Sequence, residues 1–189
     1  MRILIVDDES LIRMDLRDIL ESEQHEVVGE ASNGVEAITM CKELKPDAVL
    51  MDVKMPELDG IEAARQIGFN HLAPVVLLTS YSQQDLVTKA RESGVYGYLI
   101  KPVREEQLIP TLEMACGRFL DDLESRQQMA DLEKTLEERK IIQKATGILM
   151  DLYKIPEDES YNRIRQLSMK KRESIVNICK LIIQQASSS

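Results

Sequence analysis

The chain's 189 residues predict an α/β fold: a doubly wound parallel sheet of five strands, followed by a long helix and a small three-helix all-α unit. Three observations predict it. Short apolar runs, each ended by a polar residue, recur between positions 3 and 100. Segments of helical period separate them. From Glu105 to about Tyr153 the helical pattern continues with no strong breaker, and Ile155-Pro156 then interrupts it. Bounded apolar runs alternating with helices read as strands buried on both faces.

The first strand is carried by Ile3-Leu4-Ile5-Val6. Leu11, Ile12, Leu16, Ile19 and Leu20 then mark one face of a helix. Val27-Val28 begins a second strand, and Asn33-Gly34 punctuates before a helix from Val35 to Leu44. Ala48-Val49-Leu50-Met51 is the third strand. A turn from Met55-Pro56 to Asp59-Gly60 leads into a helix around Ile61 to Ile67. Val75-Val76-Leu77-Leu78 is the fourth strand. Ser82 to Asp85 resembles a capping box, with Asp in the Glu role, opening a helix to Arg91. Tyr98-Leu99-Ile100 is the fifth strand.

The long helix tolerates Pro110 because it falls in the first turns, while Gly117 costs about 1 kcal/mol relative to alanine. Leu112, Cys116, Phe119 and Leu123 follow a 4-3-4 spacing. Met129, Leu132 and Leu136 resume it about one residue out of phase. Flanked by charges, these residues predict the seam of a parallel coiled-coil dimer with one register discontinuity, the alternative being the last helix of the sheet domain followed by a solvated linker helix. Glu157–Met169 and Lys171–Gln185 read as two shorter helices. The expected organisation is a sheet domain over residues 1–118, a helical linker over 119–136 and a three-helix unit over 137–186. The last is too small to bury much core alone.

Composition narrows the setting. No apolar run approaches the roughly 18–20 residues needed to span a membrane, and the N-terminus enters a strand with no cleavage-site pattern. Cys41, Cys116 and Cys179 lie far apart, in a spacing that suits neither a disulfide framework nor a metal cage. The expectation is a reduced, cytoplasmic protein. The net charge of −9 hides an asymmetry. Residues 1–120 hold 12 basic against 21 acidic residues, whereas from Arg139 onward there are 10 against 5. An acidic front and a basic tail imply different partners.

The strand ends carry the chemistry. Asp7-Asp8, Asp52, Thr79 and Lys101 each follow one of the apolar runs. In an open α/β sheet the carboxyl ends of the strands share a crevice where ligands bind. Asp52, ionised at neutral pH, is the candidate nucleophile, since carboxylates form acyl-phosphates. Asp7, Asp8 and Asp52, with the backbone carbonyl of Lys54, offer oxygens to Mg²⁺, which takes one or two carboxylates, waters and phosphate oxygens. Lys101 is a compact cation able to pair first with Asp52 and then with phosphoryl oxygens, and Thr79 could hydrogen-bond the same oxygens. No other catalytic site is evident, so the chain is not expected to be an enzyme beyond transfer of a phosphoryl group to Asp52.

Residues 2–118 resemble the receiver domain of bacterial two-component response regulators. The resemblance rests on Val6-Asp7-Asp8-Glu9, Leu50-Met51-Asp52-Val53-Lys54-Met55-Pro56 with Asp59-Gly60, Leu78-Thr79-Ser80 and Tyr98-Leu99-Ile100-Lys101-Pro102. It implies a flavodoxin-like sheet in the order 2-1-3-4-5. It also implies that Asp52 accepts a phosphoryl group from a sensor histidine kinase, and that Tyr98 is a rotameric switch that follows Thr79.

The tail offers Arg139, Lys140 and Lys144 on one helix and Lys170-Lys171-Arg172 at the next connection, clusters that can neutralise phosphates. Taken alone, they leave DNA, RNA and protein partners open. Residues 130–186 resemble an ANTAR domain, an RNA-binding antitermination module. The carrying stretches are Leu136–Met150, Pro156–Tyr161, Leu167–Met169 and Ile178–Ile183. Leu136-Glu137-Glu138-Arg139-Lys140-Ile141-Ile142 is most similar to the antiterminators of ethanolamine-utilisation operons. The chain departs from the family at Thr146, where lysine is frequent, which would remove a phosphate contact. Gly147 is expected to allow close helix packing, the alternative being RNA contact.

The expected function is a phosphorylation-controlled antiterminator. Phosphorylation at Asp52 would favour a homodimer that presents two basic tails to tandem hairpins in leader mRNA. The alternatives are a DNA-binding transcription factor, for which no helix-turn-helix spacing is evident, and a regulator acting through a partner protein.

Overall fold

The computed structural model describes residues 1–80 and 94–187. The helix expected from Ser82 to Arg91 lies outside them. The strands are β1 (Arg2–Val6), β2 (Glu26–Ala31), β3 (Ala48–Asp52), β4 (Val75–Thr79) and β5 (Val95–Ile100). The helices are α1 (Ser10–Ser22), α2 (Gly34–Leu44), α3 (Gly60–Phe69), α4 (Glu105–Tyr153), α5 (Glu157–Lys171) and α6 (Ile175–Ser187). All strand pairs are parallel, in the order β2-β1-β3-β4-β5, as expected. The chain divides into two compact units, Met1–Glu124 and Ser125–Ser189, with α4 contributing to both.

In the first unit, alternate strand residues feed two cores on opposite faces of the sheet, the period of two that a pleated strand dictates. Leu4, Val6, Val49, Met51, Val75 and Leu77 pack with Ala37 and Cys41 of α2 and Ala63, Ala64 and Ile67 of α3. Ile3, Ile5, Leu50, Val76 and Leu78 pack on the other face with Leu16 and Leu20 of α1 and Leu108, Leu112 and Ala115 of α4. The inner strands β3 and β4 are buried throughout, which is why their apolar runs are unbroken. The outer strands β2 and β5 are mostly half-buried, so their pattern is fainter. β5 starts at Val95, ahead of the expected Tyr98.

Helix starts are fixed by side chains. The Asn33 carboxamide oxygen accepts from the Glu36 amide at 2.9 Å, and the Asp59 carboxylate accepts from the Glu62 amide at 2.9 Å. Each satisfies an amide that the first helical turn leaves without a partner.

Half of the expected dimer seam is corrected by this packing. Leu112 is fully buried in the second core and the half-buried Cys116 packs against that core. Phe119 meets Tyr96 edge-on, with ring centroids 5.4 Å apart and an interplanar angle of 90°. A 4-3-4 spacing marks the apolar face of a helix but not what covers it, and here the chain's own sheet does. Leu123 is half-buried. Met129, Leu132 and Leu136 are 65%, 61% and 49% exposed, so only this lower stretch still presents an uncovered apolar stripe.

In the second unit the fully buried core is Ala145, Ile164, Ile178 and Cys179, bordered by Ile141, Ile142, Leu149 and Ile175 among others. Glu157, Asp158 and Glu159 stand in the first turn of α5 and Lys170 and Lys171 in its last, each sign matching the helix dipole. Arg172 closes α5 in the left-handed conformation, with φ 56°. Two readings of this segment change. Thr146 is buried and its hydroxyl donates to the Ile142 carbonyl at 2.8 Å, so in this chain the position packs inward and subtracts no exposed phosphate contact. A Cβ added at Gly147 would meet nothing within 4 Å, so this glycine serves no close helix packing inside the chain.

Candidate functional site

Asp7, Asp52, Thr79 and Lys101 meet at the carboxyl edge of the sheet because each ends, or directly follows, a strand. The Lys101 ammonium is the hub. It pairs with Asp7 Oδ2 at 2.7 Å and with Asp52 Oδ1 at 2.6 Å. Asp7 is fully buried, and the Lys101 side chain is 22% exposed. The remaining oxygens are also bonded: Asp7 Oδ1 accepts from the Glu9 amide at 3.0 Å and Asp52 Oδ2 from the Lys54 amide at 2.8 Å. The Thr79 hydroxyl, fully buried, donates to the Ser80 carbonyl at 3.1 Å. The Lys101–Pro102 peptide is cis.

Burial pushes the Asp52 carboxyl above its ordinary value; Lys101 pulls it back, and the neighbouring Asp7 charge raises it further. Burial alone would lower Lys101, but its bonds to Asp52 and Asp7 outweigh that and hold it above its ordinary value. The site therefore sets two carboxyl groups around a single ammonium.

The donor set suits a hard divalent ion. Each carboxylate oxygen has capacity for a further partner beyond the single bond it makes here, and Mg²⁺ needs only one or two carboxylates besides waters. Asp8 is exposed beside them and is not drawn into a closed cage. Among the described residues no cluster of three acidic, histidine or cysteine side chains is gathered tightly enough to form one.

Two further residues hold this edge in place: Arg13, which sequence reasoning missed, and Gly60, which it read only as part of a turn and motif. The Arg13 guanidinium donates to the Asp7 carbonyl at 2.6 Å and to the Glu30 carboxylate at 2.9 Å, tying α1 and β2 to the loop that bears Asp7. Its signal was present as an arginine one turn into α1, indistinguishable from a solvated one. Gly60 opens α3 and its amide donates to the Val53 carbonyl at 2.9 Å. A Cβ there would run into the Asp52 carbonyl oxygen, so only glycine allows the helix to start against the end of β3. Tyr98 lies on β5 with 48% of its surface exposed.

The tail separates the expected basic residues. Lys140 and Lys144 line a groove of about 370 Å³ between α4 and α6, joined by Lys180, which sequence reasoning did not single out. Arg139 is exposed and is not among the lining residues. Lys170, Lys171 and Arg172 are exposed at the end of α5. A second groove, of about 590 Å³, is lined by Leu149, Leu152 and Ile182 and bordered by Tyr153. There the Arg163 guanidinium lies 5.4 Å from the Tyr153 ring centroid and pairs with Glu159 at 2.7 Å. Among the described residues no helix is long and apolar enough to cross a membrane.

Comparison with known proteins agrees with both halves. Residues 3–113 match the response regulator receiver domain and residues 130–183 match the ANTAR domain. The transcriptional regulatory protein PdtaR of Mycobacterium tuberculosis is 40% identical, over 97% of this chain and 89% of its own length. The transcriptional regulatory protein YdfI of Bacillus subtilis is 37% identical, over 73% of this chain and 67% of its own. Among solved structures, the response regulator domain of Thermotoga maritima CheB superposes with a TM-score of 0.58 at 32% identity, covering 62% of this chain and 96% of that one. The receiver domain of a sensor histidine kinase from Pseudomonas aeruginosa PAO1, with a magnesium ion in its active site cleft, does so with a TM-score of 0.55 at 28% identity, covering 61% and 97%. The chain thus belongs to the response regulators in which a receiver domain is joined to an ANTAR domain, a phosphorylation-regulated class of RNA-binding antitermination regulators.

Proposed function

We propose that Asp52 is the phosphoacceptor of this chain and that its phosphorylation by a sensor histidine kinase turns on binding of leader mRNA by the tail. The observation that carries this reading is the Lys101 ammonium bridging Asp52 and Asp7 at 2.6 and 2.7 Å. An Asp52 oxygen attacks the phosphorus of a phosphohistidine. The P–N bond breaks and its electron pair stays on the imidazole nitrogen. Asp7, Asp8, Asp52 and the Lys54 carbonyl are the residues that would hold Mg²⁺, which when bound offsets the charge of the incoming phosphoryl group. Lys101 exchanges its bond to Asp52 for one to a phosphoryl oxygen while keeping Asp7. The Thr79 hydroxyl turns from Ser80 to the same group, and Tyr98, now half-exposed, moves toward the space that Thr79 leaves.

On the output side, the exposed stripe of Met129, Leu132 and Leu136 pairs with its counterpart in a second copy, and each tail of the dimer takes one of two tandem hairpins. The setting of such a regulator is the cytoplasm, where kinase and nascent transcript are both present.

The test is treatment of the full chain with acetyl phosphate and Mg²⁺, read by intact mass, sedimentation and RNA binding. Wild type is expected to gain one phosphoryl group, to shift from monomer to dimer and to bind a tandem-hairpin RNA more tightly. Asp52→Asn is expected to show none of the three. An Asp52→Asn chain that is still labelled, or that binds RNA like phosphorylated wild type, would falsify the assignment.

A further inference from the structure

Seven of the ten cations from Arg139 onward fall at three places in the tail, Arg139, Lys154 and Arg165 standing apart, and the structure gives two of the three places a local role. Lys170, Lys171 and Arg172 stand at the carboxyl end of α5, where cations complement the helix dipole, and Arg172 is itself the cap. Arg163 is engaged by Tyr153 and Glu159. Lys140, Lys144 and Lys180 differ. They come from the interiors of two helices, far from any terminus, and converge on one groove. Its floor includes Ile141 and Ile183, apolar surface along which lysine stems can lie with their ammonium groups in water. The acid lining this groove is Glu137, which reaches Lys140 at 3.6 Å with both side chains well exposed, a contact that an anion readily displaces. The groove therefore carries three lysines against one acid, an excess of positive charge among its lining residues.

An independent observation points to the same face. Gly147 follows Lys140 and Lys144 at a 4-3 spacing, which places all three on one side of α4. Glycine inside a helix is unfavourable relative to alanine, and among the described residues no neighbour lies within 4 Å of a Cβ built at that position. Packing within the chain gives no reason for the bare backbone, whereas something approaching from outside does.

We propose that the α4–α6 groove, through Lys140, Lys144 and Lys180, grips the sugar-phosphate backbone of the RNA, and that Gly147 lets that backbone come close to the helix. This rests on the RNA-binding reading above and names the surface that does the binding. Contacts of this kind set affinity and its dependence on salt, and carry little sequence information.

The test uses the full chain phosphorylated with acetyl phosphate and Mg²⁺. The probe is an RNA selected on wild type from a library of tandem stem-loops with randomised loops. The triple variant Lys140→Gln, Lys144→Gln, Lys180→Gln is expected to bind roughly ten- to a hundredfold more weakly near physiological salt, with the log–log salt slope flatter by about 2–3. Lys170→Gln, Lys171→Gln, Arg172→Gln is expected to change both far less. Gly147→Ala is expected to raise the thermal midpoint of the tail while lowering RNA affinity, with the dimer mass in sedimentation unchanged. If the library yields no RNA, the RNA-binding reading itself fails. If an RNA is selected but the groove variant keeps wild-type affinity and slope, or the α5-end variant loses more, the groove is overturned and the RNA reading stands. A Gly147→Ala chain that binds RNA like wild type, or loses it only by failing to dimerise, removes Gly147 from the surface.

Discussion

The two units place their functional residues on very different foundations. In the first, two apolar cores sandwich the sheet, and the polar residues of interest sit where buried strands run out. Asp7, Asp52, Thr79 and Lys101 are positioned by everything beneath them. In the second, Ala145, Ile164, Ile178 and Cys179 make up the fully buried core, and the lysines of interest stand on helix faces. The first arrangement suits chemistry that tolerates little misplacement of reacting atoms. The second suits electrostatic contact with a flexible polyanion, where long side chains adjust to the ligand.

The contrast is most sharply tested at Gly60. An alanine there must displace the end of β3, because its methyl group runs into the Asp52 carbonyl. Gly60→Ala is expected to slow labelling by acetyl phosphate about a hundredfold, on the scale of an ångström-sized misplacement. The helices α5 and α6 should keep wild-type hydrogen exchange. Equal loosening of both units would break the comparison.

A pair of leucines on α4 gives the next largest effect. Leu112→Ala empties a fully buried site in the sheet unit and is expected to cost about 2–5 kcal/mol in urea unfolding. Leu132→Ala, at an exposed position, is expected to leave monomer stability within about 0.5 kcal/mol of wild type while weakening the phosphorylated dimer in sedimentation. If Leu112→Ala is silent in unfolding and acts on dimerisation, the seam extends upward after all.

The smallest effect concerns ion pairs. Glu30 receives Arg17 at 2.6 Å and Arg13 at 2.9 Å. The Arg17 hydrogen bond, ahead of that from Arg13, holds its carboxyl below the ordinary value of 4.5. A lowered folded value means stability that is present above the ordinary value and lost as pH falls through the folded one. Glu30→Gln is therefore expected to cost about 1 kcal/mol or less at neutral pH, with the difference from wild type fading as pH falls below the ordinary carboxyl value. Glu159→Gln in the tail, where both partners are about half-exposed, is expected to change nothing measurable at either pH.

Much of the sheet unit was legible because each strand declares itself. Ile3–Val6, Ala48–Met51 and Val75–Leu78 are apolar runs that could hardly be anything else, and the polar residue following each lands at the site. The helices were less transparent. Leu112, Cys116 and Phe119 have the spacing of a seam, yet a helical stripe looks the same whether it covers the chain's own sheet or another molecule. Tyr96, which meets Phe119 and hydrogen-bonds Asp122 at 3.0 Å, gave no signal of that role. Lys180 is a single lysine on an amphipathic helix, and only the crossing of α6 with α4 brings it to Lys140 and Lys144. Gly147 was expected to pack closely; its open surroundings were invisible without coordinates.

Lys101 has one further consequence. Because a single ammonium serves acids at the ends of two different strands, an anion reaching Asp52 would find its counter-charge already delivered. On the proposed mechanism Asp7 keeps the lysine tethered while its other bond is traded. Arrival of the signal would then be an exchange of partners around a fixed post. Time-consuming rearrangement is left to the steps that follow.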